Sequence, residues 1–144
     1  MDHVVYVDAK EDELRKILDG SKTMIIRGAL GRKMPYGRVF EGDTLYLIEN
    51  NADGKIKAKV KVKSVFNSER MTQQQSMELV DQNQSKLVLT DRQYDRWSRK
   101  RYIVLIEITA ATAIENFTID KSNYGNMDDW LPVKDINSVK VGIG

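Results

Sequence analysis

Three stretches of this 144-residue chain place reactive or charged side chains at a spacing that could serve chemistry. In KIKAKVKVK, residues 55–63, a lysine stands at every odd position and an apolar residue at every even one. Successive side chains of an extended chain turn to opposite faces. Ile56, Ala58, Val60 and Val62 are therefore expected inside, with Lys55, Lys57, Lys59, Lys61 and Lys63 in a row outside. At about 3.3 Å per residue that row spans roughly 26 Å, a length over which a nucleic acid strand offers several phosphates. The plainer alternative is that the lysines keep an exposed strand soluble and stop it pairing edge to edge. In QYDRWSRKR, 93–101, Tyr94 and Trp97 are three apart among Arg96, Arg99, Lys100 and Arg101, with Arg92 just before. Rings that stack on bases and cations that take phosphate are what single-stranded RNA binding uses. On a helix the same spacing also makes a buried aromatic stripe with a solvated basic face.

The third stretch, DGSKTMIIRG at 19–28, leads from a helix into a strand and carries Lys22 and Arg27. Five positions apart on a strand, they point to opposite faces unless the turn before the strand redirects Lys22. Arg27 can offer a fork of donors to a phosphate or a base edge. The competing expectation is a lysine at a helix C-terminus and an arginine paired with Asp43.

Other chemistries lose their candidates. Cysteine is absent, which excludes disulfides, thiolate zinc sites and cysteine nucleophiles. The single histidine, His3, reads as a strand-edge residue rather than a ligand or base. Asp128, Asp129 and Trp130 read as a turn and an anchor for the tail rather than as paired catalytic carboxylates. No metal and no cofactor are expected. The opening MDHVVYVDAKEDEL turns polar at once, unlike a signal peptide, and no apolar run approaches a membrane span, so a cytoplasmic location is expected. Net charge is only +2, but it is polarised: residues 55–101 hold 12 basic and 5 acidic side chains, while the flanking segments are acidic.

Hydrophobic spacing predicts the elements that must position these groups. HVVYV (3–7) reads as a strand, with Asp8 capping a helix that ends at Gly20, and TMIIR (23–27) follows. A loop from 28 to 42 carries Arg32, Lys33 and Arg38. DTLYLIE (43–49) and the lysine strand flank NNADG, an antiparallel hairpin turn whose Asp53-Gly54 pair suits positive φ. Thr72 caps a second helix to about Gln84 and Thr90 a third over TDRQYDRWSRK. RYIVLIEIT (101–109) is the most apolar strand, with ATAIENFTI as a possible further one and a short last strand near the end. A chain of this length supports one core, so a single domain over 1–144 is expected, with 110–144 an extension packed on it.

The order of elements and the residues Gly20, Lys22 and Arg27, followed by the Gly42-Asp43 turn, resemble the ASCH group of the PUA-like superfamily, closest to its uncharacterised archaeal members. The group's signature runs Gly-x-Lys-x-x-Glu-x-Arg; its glutamate position is Ile25 here. The resemblance implies an α+β fold, a small β-barrel of mixed, mostly antiparallel sheet flanked by two to three helices. It also implies a cleft near Lys22 and Arg27 that relatives use for RNA or modified nucleobases. One bacterial branch hydrolyses acylated cytidine with the motif lysine, a hydroxyl three positions on and a later glutamate; here Ile25 fills the hydroxyl position and Glu78 is the nearest offer of an acid. The function expected is binding of RNA or a nucleotide-derived ligand. Lys22, Arg27, Arg32, Lys33, Asp43, Lys57, Lys59, Lys61, Tyr94, Arg96, Arg99 and Lys100 are the candidate site. A hydrolase on a modified nucleoside and a protein-interaction module are the alternatives.

Overall fold

The computed structural model describes residues 1–122 and 129–141. Six strands form one mixed, curled half-barrel sheet. They are β1 (Asp2–Val7), β2 (Met24–Ala29), β3 (Thr44–Glu49), β4 (Lys55–Asn67), β5 (Tyr102–Thr118) and β6 (Trp130–Lys134). Their order in the sheet is β2-β5-β4-β3-β1-β6. Among the described residues only β1 and β3 pair in parallel, which requires the long crossover through α1 (Glu13–Leu18) and β2 that separates them. The remaining helices are α2 (Gln73–Gln82), the single turn α3 (Gln84–Leu87) and α4 (Asp91–Trp97). This is the expected α+β class, the small barrel taking the form of a curled half-barrel, with one short helical turn more than foreseen.

Local chemistry sets the boundaries. Thr72 and Thr90 each accept a hydrogen bond from the N–H three residues on, while Gln75 and Gln93 reach back in reciprocal capping boxes. The first helix starts later than its sequence suggested, because Asp12 takes φ 57° and interrupts the run; Asp8 instead accepts from the N–H groups of Lys10 and Glu11. The 43–49 and 55–63 strands pair antiparallel as expected. In their turn the positive φ angles fall on Ala52 and Gly54 rather than on Asp53 and Gly54.

The lysine strand is interior, between β3 and β5, so protection of an exposed edge does not explain it. Nor do its five lysines form one row. Leu47 pairs with Ala58 and Ile48 with Ile56, leaving Lys57 as an extra residue in a bulge. A bulge reverses the alternation, and Ile56 accordingly packs with Val4, Ile48 and Leu131 while Ala58, Val60 and Val62 pack in the cluster around Ile106. Lys57 turns to Glu49 at 2.9 Å and Asp53 at 2.6 Å. Opposite β4, the two predicted strands 101–109 and ATAIENFTI are one strand, bent where Ala110 takes φ 54° and the register shifts.

Three clusters make up the core. One lies between the inner face of the sheet and α1. A second joins β2 and β5 to the helices through Ile26, Val80, Leu87, Trp97 and Ile103. The third lies under β6 and the 3₁₀ turn Ile136–Ser138. Burying each of these aliphatic side chains is worth about 1.5–3 kcal/mol, which is what holds α4 against β2 and thereby sets the walls of the site.

Candidate functional site

Arg27 sits near the middle of β2 and is only 6% exposed. Nη1 donates to the Ile26 carbonyl at 2.8 Å and Nη2 to the Tyr6 carbonyl at 2.6 Å, while Nε lies 3.2 Å from an Asp129 carboxylate oxygen. That last approach is an ion pair without hydrogen-bond geometry, so Nε is buried without an acceptor. The guanidinium carbon is 5.7 Å from the centroid of Trp97 and 5.6 Å from that of Trp130. Of the five donors of a guanidinium, two are committed to carbonyls.

Above this arginine opens a cleft of about 230 Å³. Leu89, Gln93, Arg96 and Trp97 form the wall built by α4 and the turn before it. Tyr6, Asp8 and Asn50 come from the ends of β1 and β3, and Lys121 and Asp129 from the return toward β6. Arg96 lies over the Trp97 ring at 4.5 Å, and Lys121 donates to the Tyr6 hydroxyl at 2.8 Å while lying 5.0 Å from its ring. Three cations, Arg27, Arg96 and Lys121, and three carboxylates, Asp8, Glu13 and Asp129, thus converge with ring and amide groups on one concavity, an arrangement able to hold a flat polar ring by directed donors and acceptors.

Lys22 does not line this cleft. The turn before β2 folds it inward to 2% exposure, where Nζ donates to the Leu87 carbonyl and stands 3.5 Å from Glu13. Burial pulls the ammonium below its usual 10.5, Glu13 opposes that shift, and the nearby Arg27 and Lys16 add to it. Glu13, also buried, lines the cleft and accepts from the Asp8 N–H. The turn does redirect Lys22, through Glu13 and from beneath. The acid beside Lys22 is therefore Glu13 and not Glu78, which is exposed on α2 and accepts from Gln74. Ile25, at the hydroxyl position, is fully buried.

Asp43 is not paired with Arg27. It is bonded to His3 Nε2 at 2.9 Å and to the Phe40 N–H and the amino terminus. Because the indole of Trp130 donates to His3 Nδ1, the imidazole proton is on Nε2 and is donated to Asp43. Burial would raise the Asp43 carboxyl, but the bonds from His3, Phe40 and the amino terminus outweigh it and hold it below 3.8. His3 lies in β1, between β3 and β6, and is fully buried, so it is no edge residue. Trp130, 1% exposed, anchors β6 as expected and links this pair to Arg27; Asp128 lies outside the described residues.

The other candidates disperse. Tyr94 is half-buried, and the neighbouring Asp81 carboxylate raises its hydroxyl above the usual 10.0. Arg32 stacks on Tyr36 and Tyr102, with Lys33 beside it on the exposed loop. Lys61 donates to Thr44 at 2.7 Å, and Lys59 is exposed between Tyr46 and Thr112. Arg99 lines a separate groove, and Lys100 packs against Gly28, where a Cβ would come within 2.9 Å of its Cγ. Trp97 and Arg96 do meet at the cleft, with the ring buried and the arginines outside, which is the stripe the helical spacing implied. Tyr6, Glu13, Asn50, Gln93, Lys121 and Asp129 are cleft residues that sequence reasoning missed; only Gln93, three after Thr90, carried a signal, and that signal was for a cap.

No protein-family model and no curated protein matches the chain in sequence. Solved structures match in shape. The crystal structure of ASCH from Zymomonas mobilis aligns with a TM-score of 0.69 at 11% identity, over 95% of this chain and 91% of that one. A tyrosine-to-phenylalanine mutant of the same protein gives 0.71 at 10% identity, over 95% and 93%. A hypothetical protein gives 0.50 at 17%, over 79% and 100%. At these identities the likeness is one of fold, and the chain shares the fold of the Zymomonas mobilis ASCH structures.

Proposed function

We propose that this chain is a binding protein for RNA or a nucleotide-derived ligand, working in the cytoplasm as a single domain whose 110–144 segment completes the site. The observation that carries the reading is the cleft in which Arg27, Arg96 and Lys121 meet the ring of Trp97. Its volume is below the roughly 300–1,000 Å³ of pockets that enclose a drug-sized molecule, which suits one base or nucleoside entering it with its phosphate toward the cations. Lys22 supports the cleft from below rather than acting in it, and Ile25 supplies no hydroxyl, so binding is favoured over hydrolysis.

Calorimetric titration of nucleosides and their 5′-monophosphates tests this. Arg96→Gln should weaken a monophosphate by about 1.5–3 kcal/mol, the range for a hydrogen bond to a charged group, and leave the parent nucleoside unchanged. Equal losses on both, or no monophosphate binding by the unaltered chain, would overturn the reading.

A further inference from the structure

On the other side of the α4 C-terminus lies a second groove, of about 550 Å³, lined by Arg70, Arg99 and Arg101 together with Leu30, Met71 and the start of α2. Arg15, Arg27 and Arg92 each stand within 4.0 Å of a carboxylate. Among the described residues, no such ion pair is formed by Arg70, Arg99 or Arg101. The Met71 N–H donates to the Arg101 carbonyl at 2.9 Å, which holds the backbone next to Arg70 against that of Arg101, and all three arginine side chains are exposed. The groove also meets the first turn of α2, which contains no acidic residue to offset the positive end of the helix. Leu30 stands 72% exposed at its margin. No ring lines the groove, so its chemistry suits a phosphate backbone rather than a base.

Residues 96–101 connect the two concavities: Arg96 and Trp97 face the cleft, Arg99 and Arg101 the groove. We infer that the arginine groove binds the phosphates of a single-stranded nucleic acid flanking the nucleotide held in the cleft. The ligand is then an oligonucleotide strand crossing the end of α4, not a free nucleotide. This rests on the reading of the cleft as a nucleotide site.

The test compares a labelled 12-nucleotide oligouridylate, the corresponding RNA duplex and uridine 5′-monophosphate, each titrated at several salt concentrations. Replacing Arg70→Gln and Arg101→Gln together removes two phosphate contacts. The salt slope should fall by about 1.4, which is roughly 25-fold in affinity at 0.1 M salt. Monophosphate affinity should stay unchanged. The Arg70→Lys/Arg101→Lys pair, which keeps both charges, should restore the slope. An unchanged slope, an equal loss of monophosphate, equally tight duplex binding or failure of the lysine pair to restore would each overturn the groove. Monophosphate binding with no oligonucleotide binding by the unaltered chain would overturn it alone; absence of both would overturn the cleft reading as well.

Discussion

Replacing Lys22 by methionine keeps the length and apolar stem of the side chain and removes only the ammonium. Two groups then lose their partner: the Leu87 carbonyl, and Glu13, which is 6% exposed and keeps only the Asp8 N–H among its donors. Removing one member of a buried ion pair costs about 3–5 kcal/mol, since the other is left as an uncompensated charge. A chain of this length has roughly 7–22 kcal/mol in total at 0.05–0.15 kcal/mol per residue, so the loss is a large fraction of it. At about 2–4 °C per kcal/mol the midpoint should fall by roughly 6–20 °C. Neutralising both partners, Lys22→Met with Glu13→Gln, should recover most of this, because a buried pair exchanged for neutral groups is often close to even. The dependence on pH has a definite sign. Burial lowers the folded Lys22 below 10.5, so the unfolded chain binds more protons in that interval, and the unaltered chain gains stability relative to Lys22→Met as pH rises from the folded value toward 10.5. Urea and thermal unfolding of the four chains of the cycle would measure all of this. A single-variant cost below about 1 kcal/mol, or additive effects in the double variant, would refute the buried pair. A tenfold loss of monophosphate affinity with stability intact would put Lys22 in the cleft after all.

The Asp43 carboxyl, held below 3.8 in the folded chain, contributes stability that is fully present above 3.8 and is lost as pH falls through its folded value. The stability gap between the unaltered chain and Asp43→Asn should therefore shrink across that acid window in pH-dependent unfolding; a constant gap would contradict the bonds from His3 and Phe40. Of Lys57, Lys59 and Lys61, the bulge ties Lys57 to Glu49 and Asp53 and leaves the other two able to gather phosphate. Replacing Lys57, Lys59 and Lys61 with glutamine should lower the salt slope for single-stranded RNA by at most about 1.4 rather than the roughly 2.1 of three contacts. Titrations at two salt concentrations across a small RNA panel decide it, and an unchanged affinity would assign the strand to solubility alone.

How far the site was legible depends on how far apart in sequence its partners lie. Thr72 and Thr90 announce their helices three residues ahead of Gln75 and Gln93, and both caps form. The alternation of KIKAKVKVK holds from Ala58 onward and fails at Lys57, because register there depends on a turn whose positive φ angles fall on Ala52 and Gly54, a matter of hairpin geometry and not of hydrophobic pattern. Glu13 stands five residues after the Asp8 expected to cap the first helix, and nothing local says that it meets a lysine nine residues later under a cleft. Arg27 stood out through its motif, yet the groups that give it a chemical setting come from elsewhere: Tyr6 from β1, Trp97 from α4, and Asp129 and Trp130 from the start of β6. Two of those four, with Lys121, lie far along the chain from Gly20, Lys22, Arg27 and the Gly42-Asp43 turn, the residues that carry the sequence resemblance. The motif therefore supplies Arg27 and α4 supplies one wall, while the charge facing Arg27 and one of its two rings come from Asp129 and Trp130. It follows that the ligand preference of this cleft is a property of Lys121 and Asp129 as much as of the motif. Likeness in fold to an ASCH domain therefore does not transfer that domain's ligand to this chain.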